Sequence, residues 1–397
     1  MNETMTNGPL DGVRIADLTT VVMGPLATRI LGDLGAEVIR VEAPDYDFMR
    51  DFEPKRSPGM SAFTLNLNRN KRSVVFDLKT DQGHQAMLDL VSSCDVFVSN
   101  MRPVALAKLG LAPDDLMSVK QDLIYVGAVG FGSDGPYAGQ AAYDDVIQAV
   151  SGLASMFSWA DGEPRFVPSV MADKVSGLHI VYAVTAALYK KAVSGQGDVI
   201  EVPMAEAMAA FNLVEHQNGH TFEPKESPFS YQRLRTANRK PRRSADGWLC
   251  IMPYSDQNYQ DFFTEVGKPE LIDDERFRTI NDRVLNVDEL YAHVGEAVAG
   301  RTTAEWMEFS RRTSIPCVPV VELDQVADNP HFAKVGLIEV DAHPTEGDYH
   351  VVHDPVRFAS RPNEIRRHAP RVGEHTAEVL TELGWSDEQV GTFANNS

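Results

Sequence analysis

Two near-continuous apolar runs, Val13–Leu18 (VRIADL) and Ala36–Glu42 (AEVIRVE), flank a helix-patterned stretch, Gly24–Leu34 (GPLATRILGDL). Strand, helix and strand in that order make a βαβ unit, and strands apolar on both faces belong in a buried parallel sheet. The alternation continues. Ser73–Asp77 and Val96–Ser99 read as strands around a helix at Gly83–Ser92, and Leu123–Val129 (LIYVGAV) reads as a further strand. The pattern predicts an α/β fold with a doubly wound, mainly parallel sheet that binds its ligands beyond the C-terminal ends of the strands.

At 397 residues the chain can fill more than one core. A helix over Met204–Asn218 leads into a Pro-, Ser- and Arg-rich connection, after which the composition shifts. Asp246–Tyr254 reads as a turn and strand, and Asn258–Val266, Val287–Ala299 and Thr303–Thr313 read as helices. Prolines then punctuate β-like pieces before a final helix at Gly373–Leu383. The expected organisation is a Rossmann-like large domain over 1–205, a linker over 206–245, a small α-rich domain over 246–325, and a segment over 326–397 that returns to pack on the large domain.

Acidic residues outnumber basic ones by 57 to 37, a formal charge of −20, which disfavours a nucleic-acid surface. An anionic ligand must find a local basic pocket. Cys94, Cys250 and Cys317 are widely spaced, without paired metal-ligand spacing, which predicts a reducing compartment and no structural zinc. With that cysteine usage a cytoplasmic location is expected; MNETMTNGPLDG, without a basic segment followed by an apolar one, shows no signal peptide. The longest apolar run, Val175–Tyr189, is shorter than the roughly 20 residues of a membrane span and is interrupted by Ser176, Gly177 and His179. It reads as a core helix.

Asp173 stands at the mouth of that helix. An acid there is either a cap or a reactive carboxylate, since unpaired N–H groups and the helix dipole favour both. Gly130, Gly132 and Gly135 (GFGSDG) follow a strand, but Pro136 and Gly139 continue the turn where a dinucleotide fingerprint would open a helix. Two readings remain for the loop: a turn needing backbone freedom, or a close approach to a ligand. The next helix is expected near Asp144 (DDVIQAVSGLASMF). His216 and His220 are four apart, as metal ligands on a helix are, but Gln217 stands where a metalloprotease needs Glu, so no metal site is expected. Arg233, Arg235, Arg239, Lys240, Arg242 and Arg243 crowd one stretch of an acidic chain. They form either a solvated linker or a partner for a substrate carboxylate or phosphate. Asn68–Ser73 (NRNKRS) is expected in a loop before a strand, and Asn100, Arg102 and Lys108 in one after a strand.

Together these stretches resemble the family III (class III) CoA-transferases, the group of formyl-CoA and carnitine-CoA transferases, with the α-methylacyl-CoA racemases as relatives. The resemblance spans nearly the whole chain. It rests on LGDLGAEVIRVEAP at 31–44, LNRNKRSVVFDLK at 67–79, SNMRPVALAKLGL at 99–111, GFGSDGPYAGQAAYDDVIQAVSGL at 130–153, VMADKVSGLH at 170–179 and SGQGDVIEVPMAEAM at 194–208. It implies that Asp173 is the catalytic aspartate and that Arg40, Lys71, Arg72 and Arg102 contact the CoA nucleotide; Asn100 and Lys108, after a strand, and Gly130 and Gly132 of the glycine turn are expected beside them. It also implies an interlocked homodimer, CoA and acyl-CoA as substrates with no permanently bound cofactor, and a small carboxylic acid as acceptor. Arg233, Arg235 and Arg239 would then suit a dicarboxylate.

Racemases of this group place a His before an Asp where this chain has Ala142, Tyr143 and Asp144. A phenol titrates near pH 10 and an imidazole near neutrality, so proton transfer is disfavoured against CoA transfer. No glycine-run lid is visible over 220–250. In the transfer chemistry an ionised Asp173 needs no general base; the helix N-terminus is expected to oppose any rise of its pKa, and the Gly130–Gly135 turn to supply oxyanion donors.

Overall fold

The computed structural model describes residues 8–45, 47–359 and 364–396. Its central sheet has six parallel strands: β1 (Arg14–Leu18), β2 (Glu37–Glu42), β3 (Lys71–Val75), β4 (Val96–Ser99), β5 (Ile124–Val129) and β6 (Asp198–Pro203). Their order is β3-β2-β1-β4-β5-β6. The winding direction reverses between β1 and β4, and at such a point the two following loops diverge and leave a crevice.

The chain divides into two compact units. The first holds the described residues up to 151, then 168–209 and those from 331 onward. One apolar cluster joins Ala16, Ile39 and Phe97 of the sheet to Met87 and Leu90 of the helix Asp81–Ser92 and to Val379, Leu380 and Phe393 from the end of the chain. The second unit, 152–167 with 210–330, is built on Tyr259, Phe262, Phe263, Phe277, Trp306 and Phe309. It carries a small antiparallel sheet of Arg242–Arg243, Trp248–Ile251 and Cys317–Pro319.

Three local expectations are corrected. β3 begins at Lys71, two residues before the expected start, so Lys71 and Arg72 are not in a loop; they align with Val38 and Ile39 of β2. The single helix expected from Asp144 is two, Asp144–Val150 and Leu153–Met156, parted at Gly152, whose φ of +83° belongs to the left-handed region. The helix near Gly373–Leu383 is not the last, because Gly384 (φ +89°) ends Thr376–Glu382 and a further helix covers Asp387–Asn396.

The apolar run becomes a 24-residue helix, Met171–Ser194, packed against the helix Met23–Asp33. Gly177 permits their close approach, since a Cβ there would stand 2.9 Å from the Met23 carbonyl oxygen. This contact lies one turn beyond Asp173 and fixes the depth at which that residue sits.

Candidate active site

A cavity of about 930 Å³ opens beyond the C-terminal ends of β1, β4 and β5, on the side where the winding reverses. Thr20 and Val21 border it after β1, Asn100, Arg102 and Lys108 after β4, and Gly130 after β5; Tyr143, Asp173 and Glu201 complete the polar wall. Its size is in the range of ligand sites rather than packing defects.

Asp173 is the third residue of its helix, and the capping position belongs to Val170, which makes no side-chain cap. The capping alternative therefore fails. The Asp173 side chain is about nine-tenths covered, yet it reaches the cavity and its carboxyl accepts no hydrogen bond among the described residues. Burial pushes that carboxyl from the ordinary carboxylate range up to about 7, and the nearby charge of Asp144 pushes the same way. The direction is upward, although the helix N-terminus is expected to oppose a rise.

Two of the basic residues face the cavity. Arg102 and Lys108 are exposed, and neither side chain enters an ion pair or hydrogen bond among the described residues. Asn100 also borders it, but its amide bridges the two strand ends, accepting from Thr20 N–H at 3.0 Å and donating to Thr20 C=O at 2.9 Å.

Arg40, Lys71 and Arg72 do not line the cavity; each is buried in ion pairs. Arg40 donates to Asp47 at 2.9 Å and to Asn68 at 2.6 Å. Asp47 in turn accepts the N–H of Val21 at 2.9 Å, and Val21 has a φ of +67°, an uncommon conformation for a β-branched residue. Arg40 thus reaches the cavity wall only through Asp47. Lys71 donates to Asp17 at 3.1 Å and to the Pro25 carbonyl at 3.0 Å, while Asp17 also accepts from Thr19 and Thr28. Arg72 binds Glu37, Glu378 and Glu382 and so ties the end of the chain to the sheet edge. Buried in the strands and paired with carboxylates, these cations lie outside the lining of the cavity.

The glycine turn is also occupied. Gly132 N–H donates to Glu206 at 2.9 Å and Ser133 N–H to Glu201 at 3.0 Å, so two donors expected to serve an oxyanion already hold carboxylates. Gly130 lines the cavity, while its carbonyl accepts from Ala205 N–H at 3.0 Å.

A profile of CoA-transferase family III matches residues 10–376. The chain belongs to this family. Among its relatives, a probable fatty acyl-CoA transferase, Rv3272 of Mycobacterium tuberculosis, is 34% identical over 94% of this chain and 97% of its own length. Succinyl-CoA:glutarate CoA-transferase of Mus musculus is 33% identical over 96% of this chain and 87% of its own. The crystal structure of Rv3272 in an orthorhombic form superposes with a TM-score of 0.80 at 32% identity, covering 93% of this chain and 98% of that one. A CAIB/BAIF family protein of Brucella suis gives 0.79 at 28% identity, covering 95% and 100%.

In this family III chain the arginine-rich run lies in the second unit and engages aromatic rings. Arg233 donates to the Tyr291 hydroxyl at 2.7 Å and lies over Tyr254; Arg235 lies over Trp159, and Arg242 over Tyr291. Arg239 is exposed. His216 is buried on the Ser230 hydroxyl at 2.8 Å, and His220 packs on Phe229. Among the described residues no group of His, Cys, Asp and Glu is arranged to hold a metal, and no helix is long and apolar enough to cross a membrane. Sequence reasoning missed Glu201 and the part of Asp144 in the site. Glu201 has no signal of its own within the stretch 194–208, and Asp144 reads as an acid near a helix start; only their three-dimensional neighbours distinguish them.

Proposed function

We propose that this family III member moves CoA from an acyl-CoA thioester to a free carboxylic acid, with Asp173 as the nucleophile. The observation that carries this reading is the Asp173 carboxyl: covered, without a hydrogen-bond partner, and facing a large cavity whose rim bears the free cations Arg102 and Lys108. With a midpoint of about 7, a substantial fraction of Asp173 is ionised at neutral pH, and that fraction is poorly solvated and correspondingly reactive.

The ionised oxygen attacks the thioester carbonyl, forming a mixed anhydride as the C–S bond breaks and CoA leaves as thiolate. The thiolate then attacks the aspartyl carbonyl, expelling the donor acid as carboxylate and leaving CoA joined to Asp173 as a thioester. An incoming carboxylate reverses both steps. One thioester replaces another, so no energy source is required; exclusion of water is. Arg102 and Lys108 suit the CoA phosphates. Arg40, Lys71 and Arg72 are assigned instead to holding the sheet and the β1 loop.

The chain's relatives carry names with both fatty acyl and dicarboxylic substrates, and the aromatic engagement of Arg233 and Arg235 weakens the case for a second-carboxylate partner there. We infer only a small acid acceptor. A reducing, cytoplasmic setting is supported by three free cysteines. A homodimer is supported by the outward stripe Leu178, Tyr182, Tyr189 and Val193 on the helix Met171–Ser194, a large apolar face for one chain to leave in water.

The test is exchange of labelled CoA between acids across a panel of acyl-CoA donors. Asp173→Ala should lose exchange by at least about a thousandfold while still binding CoA, the scale expected when a covalent nucleophile is removed; undiminished exchange contradicts the assignment. The elevated midpoint of Asp173 also suits a proton acceptor. Deuterium entering α to the thioester with no acceptor acid present would favour that alternative.

A further inference from the structure

Beside Asp173 lies a second buried acid that the transfer steps above do not use. Asp144 opens the helix Asp144–Val150 and is 6% exposed. One of its oxygens accepts the backbone N–H of Asp173 at 3.0 Å. The other accepts from Gln148 Nε2 at 2.5 Å, and the same nitrogen lies 3.2 Å from the Ser169 carbonyl, four residues before Asp173. The Asp144 carboxylate is therefore fixed at both oxygens, and its charge is held against Asp173 in a region poor in water.

Other ionisable groups around the site have different attachments. Arg102 and Lys108 border the cavity from beyond β4, Glu201 from β6, and Tyr143 from the residue before Asp144. Lys174, next to Asp173 on its own helix, turns its ammonium to Ser169 Oγ at 2.8 Å. Of all these, Asp144 is the one whose charge bears on Asp173.

We propose that Asp144 is a positioning residue that anchors the backbone of Asp173 and holds its own charge beside the nucleophile, transfer beginning as Asp173 gives its proton to solvent. The inference rests on Asp173 being the nucleophile. It has a chemical consequence. With both acids ionised their repulsion is unrelieved, and when Asp173 forms the anhydride its charge passes to the departing thiolate. Asp144 thus raises the free energy of the ionised nucleophile before attack and of nothing comparable afterward.

The experiment compares wild type, Asp144→Asn, Gln148→Ala and Asp173→Ala in two readouts: the pH profile of kcat/KM for CoA transfer, and a ¹³C NMR titration of the aspartate carboxyls without substrate. Asn keeps an oxygen to accept the Asp173 N–H but removes the charge. In Asp144→Asn the acid limb and the Asp173 midpoint should both fall by at least one pH unit, with the plateau rate reduced less than tenfold. Should Asp144→Asn not fold, Gln148→Ala carries the same test, since loss of that donor frees the Asp144 carboxylate from its fixed place beside Asp173 and lowers the Asp173 midpoint. An Asp173 midpoint unchanged in whichever variant folds overturns the coupling. If Asp173→Ala still transfers CoA, the nucleophile assignment has failed, whatever Asp144 does.

Discussion

Asp173 is legible in the sequence as a special acid, but its energetic state is not. Position at a helix start suggests a low pKa; what decides is that the side chain is covered, lacks a donor, and faces Asp144 across low dielectric, none of which has a sequence signature. The sign of the effect on stability follows. A carboxyl raised from 3.8 to about 7 in the folded protein binds its proton more tightly than the unfolded chain does. Its contribution is therefore complete below about pH 4, and it is lost as the pH rises towards 7. Asp173→Asn cannot ionise, so it should match wild type near pH 4 and exceed it by up to about 4 kcal/mol at pH 8. Urea unfolding at both pH values checks this; a variant less stable than wild type at pH 8 would show that the carboxylate is satisfied after all.

At the level of elements, periodicity located most of the strands and helices because they are regular and buried. It failed where one residue decides, as at Gly152 and Gly384, or where charged residues join a strand. NRNKRS reads as a basic loop because two adjacent cations seldom enter a sheet, yet Lys71 and Arg72 do so because Asp17, Glu37 and Glu382 meet them from other elements. The pairings, being distant in sequence, are invisible to local pattern. Burial pushes the Lys71 ammonium down to about 8 against the opposing pull of Asp17, so the pair is held together at a desolvation cost. Lys71→Met should destabilise the fold by about 3–5 kcal/mol by leaving Asp17 buried and alone. Asp17→Asn in the same chain should recover part of that loss in thermal unfolding, whereas a Lys71→Met chain that folds normally but binds CoA weakly would return Lys71 to the ligand.

For the whole molecule, family and scaffold agree: residues 10–376 match CoA-transferase family III, and the six-stranded sheet brings Asp173, Arg102 and Lys108 to one cavity. The second unit has its own aromatic core and ring-stacked arginines. The outward stripe on Met171–Ser194 predicts twice the monomer mass by light scattering, and Tyr182→Glu should lower it; a wild-type monomer would refute the dimer. The proposed transfer passes through covalent Asp173 intermediates, which mass spectrometry of the acid-quenched enzyme after mixing with acyl-CoA would detect. A peptide containing Asp173 should carry CoA through a thioester, and an acceptor acid should remove that CoA. CoA found on another residue, or turnover with Asp173 unmodified throughout, would contradict that route.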